Sequence, residues 1–257
     1  MAIVEYEKKS SHVVVIVLNR PDRLNAIDEA MLASLREAWT RYGNDDDAWM
    51  AILTGAGKAF SAGADKSWFE KTLKGEASPE VFLDLIRKDL YWSGQLDKPV
   101  LTAVNGMAVG AGLDLVLRSD LRIAAKSSWF QQPEVEKGTL MIFNDNLPCA
   151  IAAEMVAGFR ITAQRAYEVG MVNRVVPDKN LIDSALELAE ELLTKTPLAL
   201  YHALKILRDM KNAATIMPRH LIDHYTTLIS KDLTRTEDFR EATAALLDKR
   251  KPVFKKR

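Results

Sequence analysis

Near its middle the chain reads Pro99-Val-Leu-Thr-Ala-Val-Asn-Gly-Met-Ala-Val-Gly-Ala-Gly-Leu-Asp-Leu-Val-Leu-Arg118. The apolar run Pro99–Val104 predicts a strand, and the small residues of 105–112 predict a turn that leads into a helical pattern. Parallel strands need a crossover connection, which is usually a helix. A strand that passes through a glycine-rich turn into a helix therefore indicates an α/β fold.

The same alternation extends outward from this stretch. Val13–Leu18 is an unbroken apolar run, which predicts a strand with both faces buried. Asp28 is predicted to cap a helix, because it precedes an apolar stripe of helical period. That stripe consists of Met31, Leu32, Leu35, Ala38 and Trp39. Further strands are predicted at residues 49–53, 121–125 and 172–176.

The pattern changes after about Asp178. From there to Leu247 the apolar residues follow a helical period, and no further strand is indicated. We therefore expect a core with the functional site over residues 1–195 and a helical region over residues 196–257. The apolar face of that region would pack on the core or on another subunit.

The composition excludes several classes of function. Of 257 residues, 48% are hydrophobic, and 35 Lys and Arg balance 35 Asp and Glu. Zero net charge argues against nucleic acid as a partner. The single Cys149 excludes an internal disulfide, and His220 with His224 lacks a third ligand, so no metal is expected. No apolar run spans a membrane and no signal-peptide core is evident, so we expect a cytoplasmic protein with no membrane partner.

Glycine placement is the first indication of a site. Eight of the 12 glycines lie between Gly55 and Gly112, and six of these fall in two strand-to-helix turns, residues 55–65 and 105–112. Small residues there let a ligand approach the backbone, and two such turns could aim two amides at one oxygen, as an oxyanion hole. The alternative is that they serve only tight packing of strand on helix. Neither turn fits a phosphate-binding or dinucleotide-binding motif.

Two acidic residues follow these turns. Asp114 interrupts the apolar run Leu113–Leu117, where it is either a functional carboxylate or one paired with Arg118 at i+4. Glu134 follows a proline, where it is either an exposed loop acid or the second carboxylate of a pair. Two nearby carboxylates can divide acid and base roles, because burial and like charge separate their pKa values.

Short motifs in one order along the chain carry a resemblance to a known family. They are Leu18–Ala26, Phe60–Asp65, Pro99–Gly106, Gly110–Asp114, Phe130–Glu134, Thr162–Gly170 with Val172–Pro177, and Asp248–Phe254. This pattern resembles the crotonase family, the enoyl-CoA hydratase/isomerase superfamily, over nearly the whole chain. The resemblance implies a spiral of ββα units in two sheets, with a C-terminal helical region that builds trimers or hexamers.

The resemblance also implies roles for individual residues. It assigns the oxyanion-hole amides to Ala64 and Ala111, and the acid/base pair to Asp114 and Glu134. Coenzyme A would be part of the substrate, so no separate cofactor is implied. The residues implied to bind the CoA ester are Arg23, Leu24, Ala26, Ser61, Ala62, Asp65 and Lys249. Trp68 and Phe143 lie close to the motif residues in sequence, where they either shape the acyl pocket or belong to the core.

This sequence departs from the family pattern in two places. Asp114 stands where many family hydratases have Glu, and residues 138–148 replace a glycine-rich segment that walls the acyl pocket. Asp145 in that segment is either a third acid or a helix start. The resemblance as a whole implies hydration of a 2-enoyl-CoA, and the two departures add a dienoyl or alicyclic acyl group as an option. The alternatives are an enoyl-CoA or dienoyl-CoA isomerase, a CoA-independent diketone hydrolase, and an RNA-binding family member.

Overall fold

The computed structural model describes residues 2–77, 79–139, 147–213, 231–232 and 234–253. Its strands are β1 Val4–Lys8, β2 Val13–Leu18, β3 Met50–Gly55, β4 Ala59–Ser61, β5 Val100–Val104, β6 Met107–Val109, β7 Leu121–Ala125, β8 Trp129–Gln131, β9 Ile161–Thr162 and β10 Arg174–Val176. Its helices are α1 Glu29–Asn44, α2 Lys66–Leu73, α3 Pro79–Arg87, α4 Ala111–Arg118, α5 Cys149–Val156, α6 Ala163–Glu168, α7 Leu181–Leu193 and α8 Pro197–Ala213, and the C-terminal helix is Glu237–Leu247.

The strands form two sheets that the chain visits in turn. The larger sheet has the order β1-β2-β3-β5-β7-β10, and the smaller has the order β4-β6-β8-β9. Each of β3, β5 and β7 is followed directly by a strand of the smaller sheet, and β4 and β6 then lead into α2 and α4. Pairing among β2, β3, β5, β7 and β10 is parallel. The α/β prediction and the ββα alternation are thereby confirmed.

β2 confirms the prediction of a strand buried on both faces. Val14 and Ile16 belong to one hydrophobic cluster and Val13 and Val15 to another, and none of the four is more than 2% exposed. A strand whose two faces enter two cores has to be apolar at successive positions. This is why the run at 13–18 lacks the alternation of a half-exposed strand.

Helix α1 begins where its cap was predicted. The Asp28 side chain accepts a hydrogen bond from the Met31 N–H at 2.9 Å. Every residue of the predicted stripe is buried. Burial of one large apolar side chain contributes about 1.5–3 kcal/mol, so the stripe holds α1 against the first sheet.

Some predicted strand bounds differ from those observed. The strand expected from Val172 begins at Arg174, because the N–H groups of Met171 and Val172 both donate to Ala166 O at the end of α6. The strand predicted at 49–53 extends to Gly55. The sequence patterns did not indicate β1 or the strands of the smaller sheet. The strands of the smaller sheet have three residues or fewer, which is too short to show a periodicity.

The regular secondary structure described after Asp178 is helical, as expected. Helix α7 packs on the larger sheet. Helix α8 is held at the residue before β3, because the Tyr201 hydroxyl donates to Trp49 O at 2.7 Å. The C-terminal helix packs on α2 and on the 3₁₀ turn Val135–Lys137. The boundary at residue 195 remains a prediction. In the part of the chain described, no helix is both long and apolar enough to cross a membrane.

Candidate active site

The first glycine turn contains β4, and its part between β4 and α2 is held by side-chain hydrogen bonds. Ser61 Oγ donates to Asn25 O at 2.8 Å and accepts from Gly63 N–H at 3.1 Å. Asp65 caps α2 by accepting from Ser67 N–H at 3.0 Å. Ala64, between Gly63 and Asp65, makes no hydrogen bond through its own N–H to any described residue.

The second glycine turn contains β6, and its part between β6 and α4 lies directly against the first turn. Ala111 is the first residue of α4, so its N–H faces out of the helix start without an intrahelical partner. A Cβ on Gly63 would lie 2.4 Å from Val109 O and 3.3 Å from Ala111 N. With standard bond lengths this places the Ala64 and Ala111 nitrogens within about 7 Å of one another.

Helix α4 is anchored at its other end by Arg122. The guanidinium of this residue of β7 donates to Val116 O at 2.9 Å and to Leu117 O at 2.5 Å. A cation at a helix C-terminus also interacts favourably with the helix dipole. Arg122 therefore fixes the helix that carries both Ala111 and Asp114.

The side chain of Glu134 lies against the start of α4 and has little contact with solvent. Its Oε1 is 2.8 Å from the position that a Cβ on Gly110 would occupy, so the carboxyl group lies against the residue that precedes the Ala111 amide. Its Oε2 is buried and has no hydrogen-bond partner among the described residues. Glu134 is thus no exposed loop acid. A buried carboxyl oxygen without a partner is common at sites that move protons.

Burial raises the pKa of Glu134 to about 7. The nearby ammonium of Lys137 opposes the rise, and the carboxylates of Asp114 and Glu136 add to it. A carboxyl group with this pKa exists in both protonation states near neutral pH. It can therefore accept and donate a proton within one reaction cycle.

We expect Glu134→Gln to stabilise the protein at pH 8. A folded-state pKa near 7, above an unfolded value of about 4.3, means that the favourable contribution of this group is present below pH 4.3 and is lost as the pH rises to 7. Gln carries no charge, so the free energy of unfolding of the variant should exceed that of the wild type by about 1–3 kcal/mol at pH 8.

Urea unfolding at pH 5 and at pH 8 measures this difference, which should shrink toward the lower pH. The matched control is Glu37→Gln, which removes an exposed carboxylate on α1, away from Glu134. A Glu134→Gln effect that is equal at both pH values would contradict the assigned cause.

Asp114 is buried on α4 and is held by two donors. Its Oδ2 accepts from Trp92 Nε1 at 2.7 Å and from Arg118 Nε at 2.9 Å. Arg118 also donates through Nη1 to the backbone oxygen of Trp92. The pairing with Arg118 that the i+4 spacing predicted is therefore present, and a catalytic role for Asp114 remains a prediction.

The sequence patterns did not indicate the residues that hold Asp114. Trp92 is 3% exposed and lies 22 positions before Asp114. Asp89 fixes Trp92 in turn, because its Oδ1 accepts from the N–H groups of Tyr91 and Trp92 at 2.9 and 3.0 Å. An Asp two or three residues before those amides is an Asx-turn signal, which could have predicted the turn but not its contact with α4.

Several residues implied to bind the CoA ester lie together beside the first glycine turn. Leu24 O accepts from Ala62 N–H at 2.9 Å, which joins the segment with Arg23, Leu24 and Ala26 to the turn with Ser61 and Ala62. Leu24 has φ 52°, so the segment turns sharply there. Arg23 is exposed and Ala26 is buried. Their roles in binding remain predictions.

The other implied residues lie in different surroundings. Asp65 caps α2, and its Oδ2 lies 3.9 Å from Arg20 Nη2. Trp68 is 6% exposed and its Nε1 donates to Ile27 O at 3.2 Å, so it belongs to the core beside the turn. Lys249 is exposed after the C-terminal helix. Phe143 and Asp145, like His220 and His224, lie outside the described residues.

No group of three or more His, Cys, Asp or Glu that could hold a metal ion occurs among the residues that the structure describes. The candidate site combines two available backbone amides, one buried acid and one fixed carboxylate on a ββα spiral. Such an arrangement is typical of an enzyme that acts on a carbonyl compound.

Comparisons with known proteins agree with this class. The family model described as Enoyl-CoA hydratase/isomerase matches residues 8–257. A carnitinyl-CoA dehydratase of Salmonella enteritidis is 35% identical, over 97% of this chain and 97% of the relative. The enoyl-CoA hydratase EchA19 of Mycobacterium tuberculosis is 30% identical, over 97% of this chain and 96% of the relative. The crystal structure of a carnitinyl-CoA hydratase from Mycobacterium avium matches with a TM-score of 0.82 and 31% identity over 100% of both chains.

The chain belongs to the enoyl-CoA hydratase/isomerase family, which is the crotonase superfamily named from the sequence motifs. It is a hydratase-like enzyme with the fold of that family.

Proposed function

We propose that this enzyme adds water across the double bond of a 2-enoyl-CoA thioester. The environment of the Glu134 carboxyl group carries the proposal. One of its oxygens is buried and has no hydrogen-bond partner among the described residues. The other lies against Gly110, the residue before the Ala111 amide at the start of α4. An acid with a pKa of about 7 beside available amide donors matches what hydration requires.

The two amides would act on the thioester carbonyl oxygen. When a water oxygen bonds to C3, the electrons of the double bond move toward that carbonyl and form an enolate. Hydrogen bonds from Ala64 and Ala111 N–H would stabilise the negative charge, and loss of one such donor typically costs about 10²–10³ in rate. Transfer of a proton to C2 then completes the hydration, with Glu134 as the group that takes and returns protons.

Asp114 would have a different role from Glu134. Two donors hold its Oδ2, so the carboxylate is fixed in orientation and its charge is partly balanced by Arg118. A fixed carboxylate can orient a water molecule without changing its own protonation state. In this division Glu134 moves the proton and Asp114 positions the water.

A second candidate function is favoured by the same contacts of Asp114. Because Trp92 and Arg118 engage Oδ2, Glu134 could be the single group that moves a proton. A single acid/base can transfer a proton between C2 and C4 of an enoyl-CoA. That reaction is double-bond isomerisation, and it consumes no water.

One assay with a matched variant distinguishes the two reactions. Hydration removes the absorbance of a 2-enoyl-CoA and adds the mass of one water, whereas isomerisation of a 3-enoyl-CoA creates the absorbance at constant mass. We expect hydration by the wild type, and a loss of about 10²-fold or more in hydration by Asp114→Asn. An Asp114→Asn variant with normal hydration would remove Asp114 from the mechanism, and isomerisation without hydration would establish the second candidate.

Finer features of the substrate and the assembly remain part of the proposal. The dienoyl or alicyclic option rests on the bulky residues of 140–146, which lie outside the described part of the chain. Coenzyme A would enter as part of the substrate and not as a resident cofactor. Self-association as a trimer or hexamer is supported by the apolar side chains that α8 exposes, which are Leu198, Ile206 and Leu207.

A further inference from the structure

Lys137 places an ammonium group beside the candidate acid. It ends the 3₁₀ turn that begins after Glu134, and its Nζ lies 5.0 Å from the centroid of the Phe69 ring. Phe69 is on α2, the helix that follows the Ala64 turn. The ammonium therefore lies between the turn that carries Glu134 and the helix that starts at the first glycine turn.

The ammonium of Lys137 has little compensation for its partial burial. Among the residues that the structure describes, Nζ makes no hydrogen bond and no ion pair. It makes a cation–π contact with the Phe69 ring. A cation over an aromatic ring is attracted to it, but the ring satisfies none of the three N–H donors. An ammonium whose donors have no partner among the described residues can therefore bind an acceptor that enters from outside the chain.

The charges around the site compensate this ammonium only in part. Arg118 pairs with Asp114, so that pair is close to neutral. The carboxyl group of Glu134 is protonated for much of the time near pH 7, because burial raises its pKa to about 7. Burial lowers the pKa of Lys137, and the Glu134 and Glu136 carboxylates oppose that shift. An anion in the site would relieve the unfavourable burial of the lysine charge.

We propose that Lys137 binds a carboxylate carried by the acyl chain of the substrate, so that the enzyme prefers acyl-CoA esters with an anionic acyl group. This inference rests on the proposed function, because it assumes that an acyl-CoA occupies the site. It adds the chemical class of the acyl group. A cationic acyl group would be repelled by the same ammonium, and a neutral one would leave its charge uncompensated.

Binding of saturated acyl-CoA esters tests this without turnover. The probes are glutaryl-CoA, its neutral terminal amide, and 4-trimethylammoniobutanoyl-CoA, which differ in the charge at the end of the acyl chain. All share the same CoA phosphates, so differences in Kd report on the acyl end alone. We expect the wild type to bind glutaryl-CoA about tenfold or more tightly than the amide, and the cationic ester most weakly.

Three variants show whether Lys137 causes the preference. Lys137→Met should reduce the Kd ratio between glutaryl-CoA and its amide to about one, and Lys137→Arg should retain most of it. Lys74→Met removes an exposed lysine at the end of α2 and should leave the ratio unchanged. An equal Kd for the three esters in the wild type, or an unchanged ratio in Lys137→Met, would overturn the inference.

The outcomes also separate this inference from the proposed hydration. If the esters bind in the expected charge order but no enoyl ester gains water, the hydration is wrong and the inference is supported. If Lys137→Met shifts the pH profile of turnover while every Kd ratio stays as in the wild type, the lysine acts only on Glu134 and the inference is wrong. If no acyl-CoA binds, both proposals are wrong.

Discussion

Replacing Glu134 by Gln is expected to lower kcat by about 10²–10⁴ while the affinity for a CoA ester changes little. Gln preserves the shape of the side chain, so the glycine turns and the CoA contacts should remain in place. It cannot accept or release a proton in the way that a carboxyl group with a pKa of about 7 can. The loss should therefore appear in kcat, since the proton is moved only during the reaction.

Steady-state rates with an enoyl-CoA, together with the Kd of a saturated ester, measure this separation. Glu37→Gln provides the control, because it makes the same chemical change at an exposed position on α1. Near-normal turnover by Glu134→Gln would remove Glu134 from the mechanism. Because the same variant should be the more stable one at pH 8, a loss of activity could not be attributed to unfolding.

Gly63→Ala is expected to lower kcat/KM by about 10²–10³, because it would separate the two glycine turns. The added Cβ would meet Val109 O at 2.4 Å and Ala111 N at 3.3 Å, and the backbone atoms there can relieve the overlap only by moving apart. Such a shift would misplace the amide donors of Ala64 and Ala111, and loss of one donor has an effect of this size. Thermal stability should also fall.

The backbone conformation at Gly63 needs its own control. Gly63 has φ +82°, a left-handed conformation that costs a residue with a side chain about 1–2 kcal/mol. Gly75 has φ +72°, and a Cβ there would have no heavy atom within 4 Å. Gly75→Ala therefore carries the conformational cost without the overlap, and it should keep full activity. Equal activities of the two variants below their melting temperatures would contradict a role for the contact between the turns.

Much of the fold could be predicted from the sequence because its signals are local. The strand at Val13–Leu18 and the cap at Asp28 depend on residues close together in the chain, and both are confirmed. The smaller sheet could not be derived in this way. Its strands contain two or three residues, and they are held in place by pairing with one another rather than by a pattern within each.

The candidate site was partly predictable for the same reason. Asp114 and Glu134 are conspicuous because one interrupts an apolar run and the other follows a proline within a recognisable motif. Lys137 is not conspicuous, since a lysine between Glu136 and Gly138 resembles any solvated turn. Trp92 and Asp89 are equally hidden, because nothing near them in sequence indicates that an indole N–H meets a carboxylate on α4.

The sequence by itself determined the α/β class, the family and the positions of the two glycine turns and the two acids. The tertiary structure alone decided that Gly63 lies against Val109, that Trp92 and Arg118 hold Asp114, and that one oxygen of Glu134 is buried beside the start of α4. The physical reason is that periodicity and capping are set by neighbours in the chain. Burial, hydrogen-bond partners and pKa values are instead set by residues that only folding brings together.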